Sequence, residues 1–345
     1  MSARRPSYST GDPVLDSRIS ELLDVASVSR DRELVSELVT SVLRMSREGV
    51  NRGDLKIANS TLKEMRYAFQ VFDPYRAARK LAIFGSARTG TEEPAYDAAR
   101  RVGQAISDEG WMVITGGGPG IMTAGIEGAG PENSFAVNIV LPFEPREGGS
   151  MVHDGKSINF RYFFTRKLTF MKEASAYVMF PGGFGTMDET FELLTLLQTG
   201  RELPAPIVLF QPDGDGYWET FRRFLEIELL DSKLIRPEDL ELFHITSDVD
   251  DVVEHVTSFF RVYDSLRHVG GRLVLRLRKE LTDAQLQQLN EQFGDIVVSG
   301  RIERAEVSSV EIADDDAVDL HRIRFRFTND GGARLHAMID VINTF

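Results

Sequence analysis

Three glycine-containing turns are the residues of this chain best suited to hold a ligand. Each follows a short apolar run: Phe84-Gly85-Ser86-Ala87-Arg88, Thr115-Gly116-Gly117-Gly118-Pro119-Gly120-Ile121-Met122 and Pro181-Gly182-Gly183-Phe184-Gly185-Thr186-Met187-Asp188-Glu189. A glycine turn entering a helix presents backbone N–H groups at the positive end of the helix dipole, which suits a phosphate. One such turn alone is ordinary strand-to-helix geometry. Two long ones on a single sheet favour a phosphate seat. The usual nucleotide signatures are absent: no GxxxxGK followed by Ser or Thr, no GxGxxG after the first strand, and no acid ending the second strand to hold a ribose. The pattern predicts a site for one phosphate group rather than a pyrophosphate. Ser86 reads equally well as a ligand contact or as part of the turn. Thr186-Met187-Asp188-Glu189 also reads as a capping box, in which Glu189 closes its own helix start.

The elements that carry these turns alternate. β-rich runs lie at 81–84, 111–115, 136–141, 176–180 and 207–210, with helical stretches at 95–108, 121–129, 163–173, 189–198 and 218–230. Strands separated by a helix make βαβ units, and strands apolar on both faces predict a sheet covered on both sides. The expected fold is α/β, a Rossmann-like doubly wound parallel sheet with its ligand at the carboxyl ends of the strands. Before it, residues 1–78 read as a helical extension, with apolar positions Leu15, Ile19, Leu22 and Leu23, then Leu34, Leu38 and Val42, at helical spacing. The catalytic segment is expected over 79–266. Residues 252–263 read as its closing helix and Gly270-Gly271 as a break after it. Residues 270–345 follow the order β-α-β-β-α, a ferredoxin-like α+β module whose last strand is not visible in the sequence. It is expected to leave residues up to about Val269 folded when removed. The Asp314–Asp316 run reads as a solvated turn, and Trp111, Phe163, Phe164 and Phe170 as core.

Composition narrows the function. The chain has 345 residues and a formal net charge of −13, which argues against sequence-independent nucleic-acid binding. It has no cysteine, so disulfides, thiolate nucleophiles and zinc-thiolate sites are excluded. The six histidines are scattered, and no metal site is expected. No apolar run reaches the ~20 residues of a membrane span, and the first residues, MSARRPSYSTGDP, lack the apolar stretch of a secretory signal. A cytoplasmic protein with no membrane partner is expected.

GGGPGIM at 116–122, NIVLPFE at 138–144, FFTRK at 163–167 and PGGFGTMDE at 181–189 resemble the LOG ("Lonely guy") family, long misnamed lysine decarboxylases, over about residues 80–260. The resemblance implies a nucleoside 5′-monophosphate phosphoribohydrolase. Such an enzyme hydrolyses the N-glycosidic bond to free base and ribose 5-phosphate without a cofactor. The base is a cytokinin in plants and some microbes, and an ordinary purine or pyrimidine, as in AMP, in related bacterial enzymes. It also implies a homodimer or higher homo-oligomer. On matching positions the resemblance makes Glu189 the carboxylate beside the ribose and Arg166 the catalytic arginine, with Lys167 and Asp188 as neighbours. It makes Gly182, Gly183, Gly185 and Thr186 the phosphate cradle, and Gly116, Gly117, Gly118 and Gly120 the opposite wall. Thr195 becomes a further substrate contact. The same superfamily includes proteins that hold a nucleotide or molybdenum cofactor without hydrolysing it; such a carrier needs the glycine turns but no carboxylate at the sugar. No lysine stands in a pyridoxal-phosphate context, which argues against a decarboxylase. Residues 145–160 do not match the Asn-Pro-Tyr segment of larger family members, so the preferred base stays open.

Overall fold

The computed structural model describes residues 8–140, 152, 154–328 and 331–345. Contacts divide the chain into two compact units, 1–66 and 67–345. The first is helical: α1 (Pro13–Val25), α2 (Arg32–Arg47) and most of α3 (Arg52–Phe72). Asp12 caps α1 by accepting from the backbone N–H of Val14 at 3.0 Å and of Leu15 at 3.4 Å. Ile19 and Leu23 are buried, but Leu22 and the whole stripe Leu34, Leu38 and Val42 are exposed. Helical periodicity identified the helix there; it did not show that the stripe is covered.

The second unit is built on a seven-stranded parallel sheet in the order β4-β3-β2-β1-β5-β6-β7. Its strands are β1 (Lys80–Phe84), β2 (Met112–Thr115), β3 (Ser134–Ile139), β4 (Ser157–Phe160), β5 (Ala176–Met179), β6 (Ile207–Phe210) and β7 (His244–Thr246). Helices α4 (Pro94–Asp108), α5 (Ile121–Ala129), α6 (Phe163–Glu173), α7 (Phe184–Gln198), α8 (Tyr217–Phe224) and α9 (Val249–Ser258) connect them. Successive residues of β1 face opposite layers: Leu81 and Ile83 join the cluster beneath α4, while Ala82 and Phe84 join the cluster containing Phe170 and Leu193. This is the Rossmann-like sheet expected from strands apolar on both faces. Strand order reverses between β1 and β5, so a crevice opens at their carboxyl ends. The edge strands β4 and β7, both short, were not anticipated. Leu141–Glu144, the end of the NIVLPFE motif, lies outside the described residues. No described helix is long and apolar enough to cross a membrane.

The chain then enters a separate antiparallel sheet, ordered β10-β11-β9-β8, from β8 (Tyr263–Val269), β9 (Arg272–Leu277), β10 (Val297–Arg304) and β11 (His321–Phe327). Helices α10 (Asp283–Gln292), α11 (Ser309–Asp314) and α12 (Gly332–Asn343) accompany it. This corrects the expected break at Gly270-Gly271. The pair is the turn of the β8–β9 hairpin, with φ of +57° and +76°, as a two-residue hairpin turn requires. Residues 263–269, taken as the end of a helix and the approach to that break, form the hairpin's first strand. The missing ferredoxin-like strand is thereby found: β8 occupies the edge position beside β9, entering from before the module rather than after it. Asp314 and Asp316 are not a plain solvated turn either. Arg267 reaches them at 2.7 and 2.9 Å, and Asp316 also binds the buried Arg276 at 2.7 Å. Arg276 and Arg322 share the buried Glu311. Burial alone would raise that carboxyl, but hydrogen bonds from Ser308 and Arg276 and the charge of Arg322 bring it down to about 2.

Candidate active site

A cleft of about 780 Å³ opens at the switch point. The first and third glycine turns meet there. Ser86 N donates to Pro181 O at 3.1 Å, and Arg88 N donates to Ser86 Oγ at 3.0 Å. Ser86, Arg166, Gly182, Gly183, Gly185, Thr186, Asp188 and Glu189 all line the cleft. Sequence residues from three separate segments are thus brought to one opening.

Helix α7 decides what this opening can hold. Its N-cap is Gly183, with no side-chain cap, and the first helical bond in sight is Met187 N donating to Gly183 O at 3.1 Å. The N–H groups of Phe184, Gly185 and Thr186 precede that bond, so they are the orphan donors of the helix and carry the positive end of its dipole. The capping-box expectation for Glu189 is corrected by the same fact. The helix starts at Phe184, so Glu189 sits in its second turn, too far along to cap it.

Glu189 is instead buried, with 4% of its surface exposed, and its Oε2 has no hydrogen-bond partner among the described residues. Burial pushes its carboxyl up to about 7, against the pull of Lys167 and Arg166. A carboxyl poised near neutrality at a cleft has the proton affinity that general acid or base chemistry needs. Arg166, from α6, is held by its Nε donating to Val137 O at 2.8 Å, over the Phe170 ring. Burial draws its pKa down and Glu189 draws it up; a guanidinium stays charged through such a shift.

Lys167 lies behind this pair and does not line the cleft. Burial opposes its charge, but Asp188 at 2.8 Å and Glu192 at 2.6 Å hold its pKa up. Asp188 is thereby neutralised, leaving Glu189 as the distinctive acid. Gly116, Gly117, Gly118 and Gly120 are not among the residues that line the cleft. A Cβ on Gly116 would stand 2.4 Å from Arg166 Nη2, and one on Gly118 would stand 2.8 Å from Met122 Cε. The side chains of Arg166 and Met122 face these glycines and themselves line the cleft. Gly117 lies against Asn138, and Gly120, at φ +67°, lets the turn approach Ser86 O, where a Cβ would be 2.4 Å away. The second turn therefore seats Arg166 and the first turn. Thr195 is exposed about three turns along α7, its hydroxyl donating to Phe191 O at 2.8 Å, and it is not among the residues that line the cleft.

The aromatic expectations divide. Trp111 and Phe170 are buried, but Phe163 and Phe164 are half exposed, and Phe163 lines the cleft with the almost fully exposed Phe184. Tyr217 also lines it and donates to Gly182 O at 2.7 Å, bracing the third turn from the first residue of α8. No pattern in the sequence pointed to Tyr217, because its partner is a backbone carbonyl 35 residues away. Among the described residues no group of three or more His, Cys, Asp or Glu side chains could hold a metal.

Residues 113–256 match the family model described as "Possible lysine decarboxylase". Curated relatives include a probable cytokinin riboside 5′-monophosphate phosphoribohydrolase of Oryza sativa subsp. japonica, 27% identical over 153 residues, and a cytokinin riboside 5′-monophosphate phosphoribohydrolase of Arabidopsis thaliana, 26% identical over 152. Residues 113–256 thus resemble the LOG family. The alignments cover 43% of this chain in both cases, and 59% and 68% of the two relatives. A bifunctional cytokinin biosynthesis protein of Fusarium pseudograminearum is 25% identical over 195 residues, which cover 51% of this chain and 39% of that protein. Among solved structures, the molybdenum cofactor binding protein of Rippkaea orientalis aligns with a TM-score of 0.39 and 18% identity, covering 52% of this chain and 96% of that one. The matched segment carries Arg166, Glu189 and the third glycine turn; the antiparallel sheet, which begins at Tyr263, lies beyond it.

Proposed function

We propose that this protein is a nucleoside 5′-monophosphate phosphoribohydrolase, converting a nucleotide and water to free base and ribose 5-phosphate. The observation that carries this is the buried Glu189, with an unpartnered carboxylate oxygen, beside the open amino end of α7. The 5′-phosphate lies on the N–H groups of Phe184, Gly185 and Thr186. The ribose then lies over Glu189, and the base reaches the aromatic side of the cleft at Phe163 and Phe184. As the N-glycosidic bond breaks, its electron pair leaves with the base and C1′ becomes oxocarbenium-like. The ionised Glu189 stabilises that charge and takes a proton from the water whose oxygen bonds to C1′; that proton ends on the departing base, which returns Glu189 to its ionised form. Arg166 keeps the buried carboxylate charged while this happens. A decarboxylase is disfavoured because, among the described residues, no lysine lines the cleft.

The protein is further proposed to be a homodimer. Phe164 and Leu168 on α6 and Phe184 and Phe191 on α7 are exposed on neighbouring helices tied together by Lys167, an apolar surface suited to a second copy. Light scattering is expected to give twice the chain mass, and Leu168→Asp to give the monomer. An unchanged dimer in that variant places the interface elsewhere.

The test of activity is a panel of nucleoside monophosphates, AMP and isopentenyl-adenosine monophosphate among them, assayed for free base. AMP or a relative is expected to be cleaved at least about tenfold faster than its nucleoside, since the phosphate positions the ribose. Equal rates on adenosine and AMP would remove the phosphate seat from the scheme. Tight nucleotide binding without release of base would make the protein a carrier instead.

A further inference from the structure

The charges of the cleft do not balance for a phosphate unless one more cation takes part. Four Arg, Asp or Glu side chains line it: Arg88, Arg166, Asp188 and Glu189. Asp188 is matched by Lys167 at 2.8 Å. Arg166 is anchored to Val137 O and lies in the field of Glu189, so these two offset one another. A phosphate monoester brings between one and two negative charges, and a helix amino end offers only about half a positive charge. The remaining cation is Arg88. It is exposed on the cleft, and its side chain has no hydrogen bond or ion pair among the described residues.

Its backbone is not loose. Arg88 N donates to Ser86 Oγ, and Ser86 N donates to Pro181 O, the residue that opens the turn into α7. The second bond thus ties the loop bearing Arg88 to the loop presenting the orphan N–H groups, and the first braces Arg88 within its own loop. A guanidinium rooted there can meet two phosphate oxygens with parallel N–H donors while the helix end meets the third.

We infer that Arg88 is the phosphate clamp of this site, the residue by which it distinguishes a 5′-phosphorylated ribose from an unphosphorylated one. This rests on the proposed phosphoribohydrolase activity and names the residue that selects its substrate class. It assigns Arg88 to binding and not to bond breaking.

Calorimetric titration of the full chain with ribose 5-phosphate tests it without turnover. Arg88→Met keeps the aliphatic stem and removes the charge; its affinity is expected to fall about 10–100-fold, the range of a lost charge-assisted pair. Arg88→Lys restores the charge without the fork and is expected to recover part of the loss. Raising the salt should weaken the wild type more steeply than Arg88→Met. In turnover on AMP the Met variant is expected to raise KM far more than it lowers kcat. Because Arg88 is exposed, thermal melting should match the wild type. Wild-type affinity in a folded Arg88→Met variant would overturn the inference and leave the proposed activity standing. A wild type that does not bind ribose 5-phosphate would overturn both.

Discussion

Glu189→Gln is expected to slow release of the base by about 10²–10⁴-fold and at the same time to make the protein more stable at alkaline pH. Both effects come from one buried carboxyl. Glutamine keeps the shape and loses the charge that must face the oxocarbenium-like ribose. The stability effect follows from linkage. The folded pKa is raised to about 7 from an ordinary 4.5, so between those values the folded state holds a proton that the unfolded state has released. Wild-type stability is therefore full below about pH 4.5 and is lost as pH rises through about 7. The loss is of the order of 3 kcal/mol. The Gln variant has no such proton to lose. Its urea midpoint should match the wild type near pH 4.5 and exceed it at pH 8.5. The wild-type rate should rise with pH along a limb centred near 7, and that limb should vanish in the variant. Turnover within twofold of wild type would remove Glu189 from the chemistry; a variant less stable at pH 8.5 would mean that the carboxylate has a partner when ionised.

The sequence made the sheet and the third glycine turn legible for a physical reason. Strands buried on both faces read as unbroken apolar runs, and a glycine turn between strand and helix is a strong local mark. What escaped depends on partners far along the chain. β4 and β7 are three or four residues at the sheet edges, carrying Asn159 and His244 among few apolar neighbours. The start of α7 was displaced because Gly183 caps it without a side chain, whereas Thr186 and Glu189 have the right spacing to suggest a cap that is not used. Phe163 has the composition of a core residue, but burial of an aromatic ring is decided by what lies across from it. The segment Tyr263-Asp-Ser-Leu-Arg-His-Val has few of the β-branched residues that advertise a strand, so Gly270-Gly271 lost its context as a hairpin turn.

That hairpin reverses the expectation for the carboxyl-terminal residues. Ending the chain at Val269 is expected to give an insoluble or protease-sensitive protein rather than a folded enzyme of altered assembly. The cut removes β9 and leaves β8 as an unpaired strand, a template for aggregation. It also opens the core. Leu273, Leu275, Phe325, Leu335, Met338 and Ile339 are all buried in the same cluster as Leu81, Val178 and Val256 of the Rossmann-like sheet and its helices. At about 2 kcal/mol for each large apolar side chain taken out of the shared core, losing six of them costs about as much as the usual 5–15 kcal/mol stability of a domain. Polar links break as well. Asn343 Oδ1 accepts from the backbone N–H groups of Val262 and Tyr263, both at 2.9 Å, and His336 Nε2 lies 3.3 Å from Ala205 O. Limited proteolysis and solubility of a 1–269 chain would decide the matter. A soluble, cooperatively melting product that still released base would show that the Rossmann-like sheet closes its own core. A milder variant separates covering from catalysis: Asn343→Ala leaves the chain whole but leaves two buried backbone donors unpaired, at a cost of about 1–3 kcal/mol. It is expected to lower the melting temperature while kcat on the preferred nucleotide stays unchanged, because Asn343 touches nothing that lines the cleft.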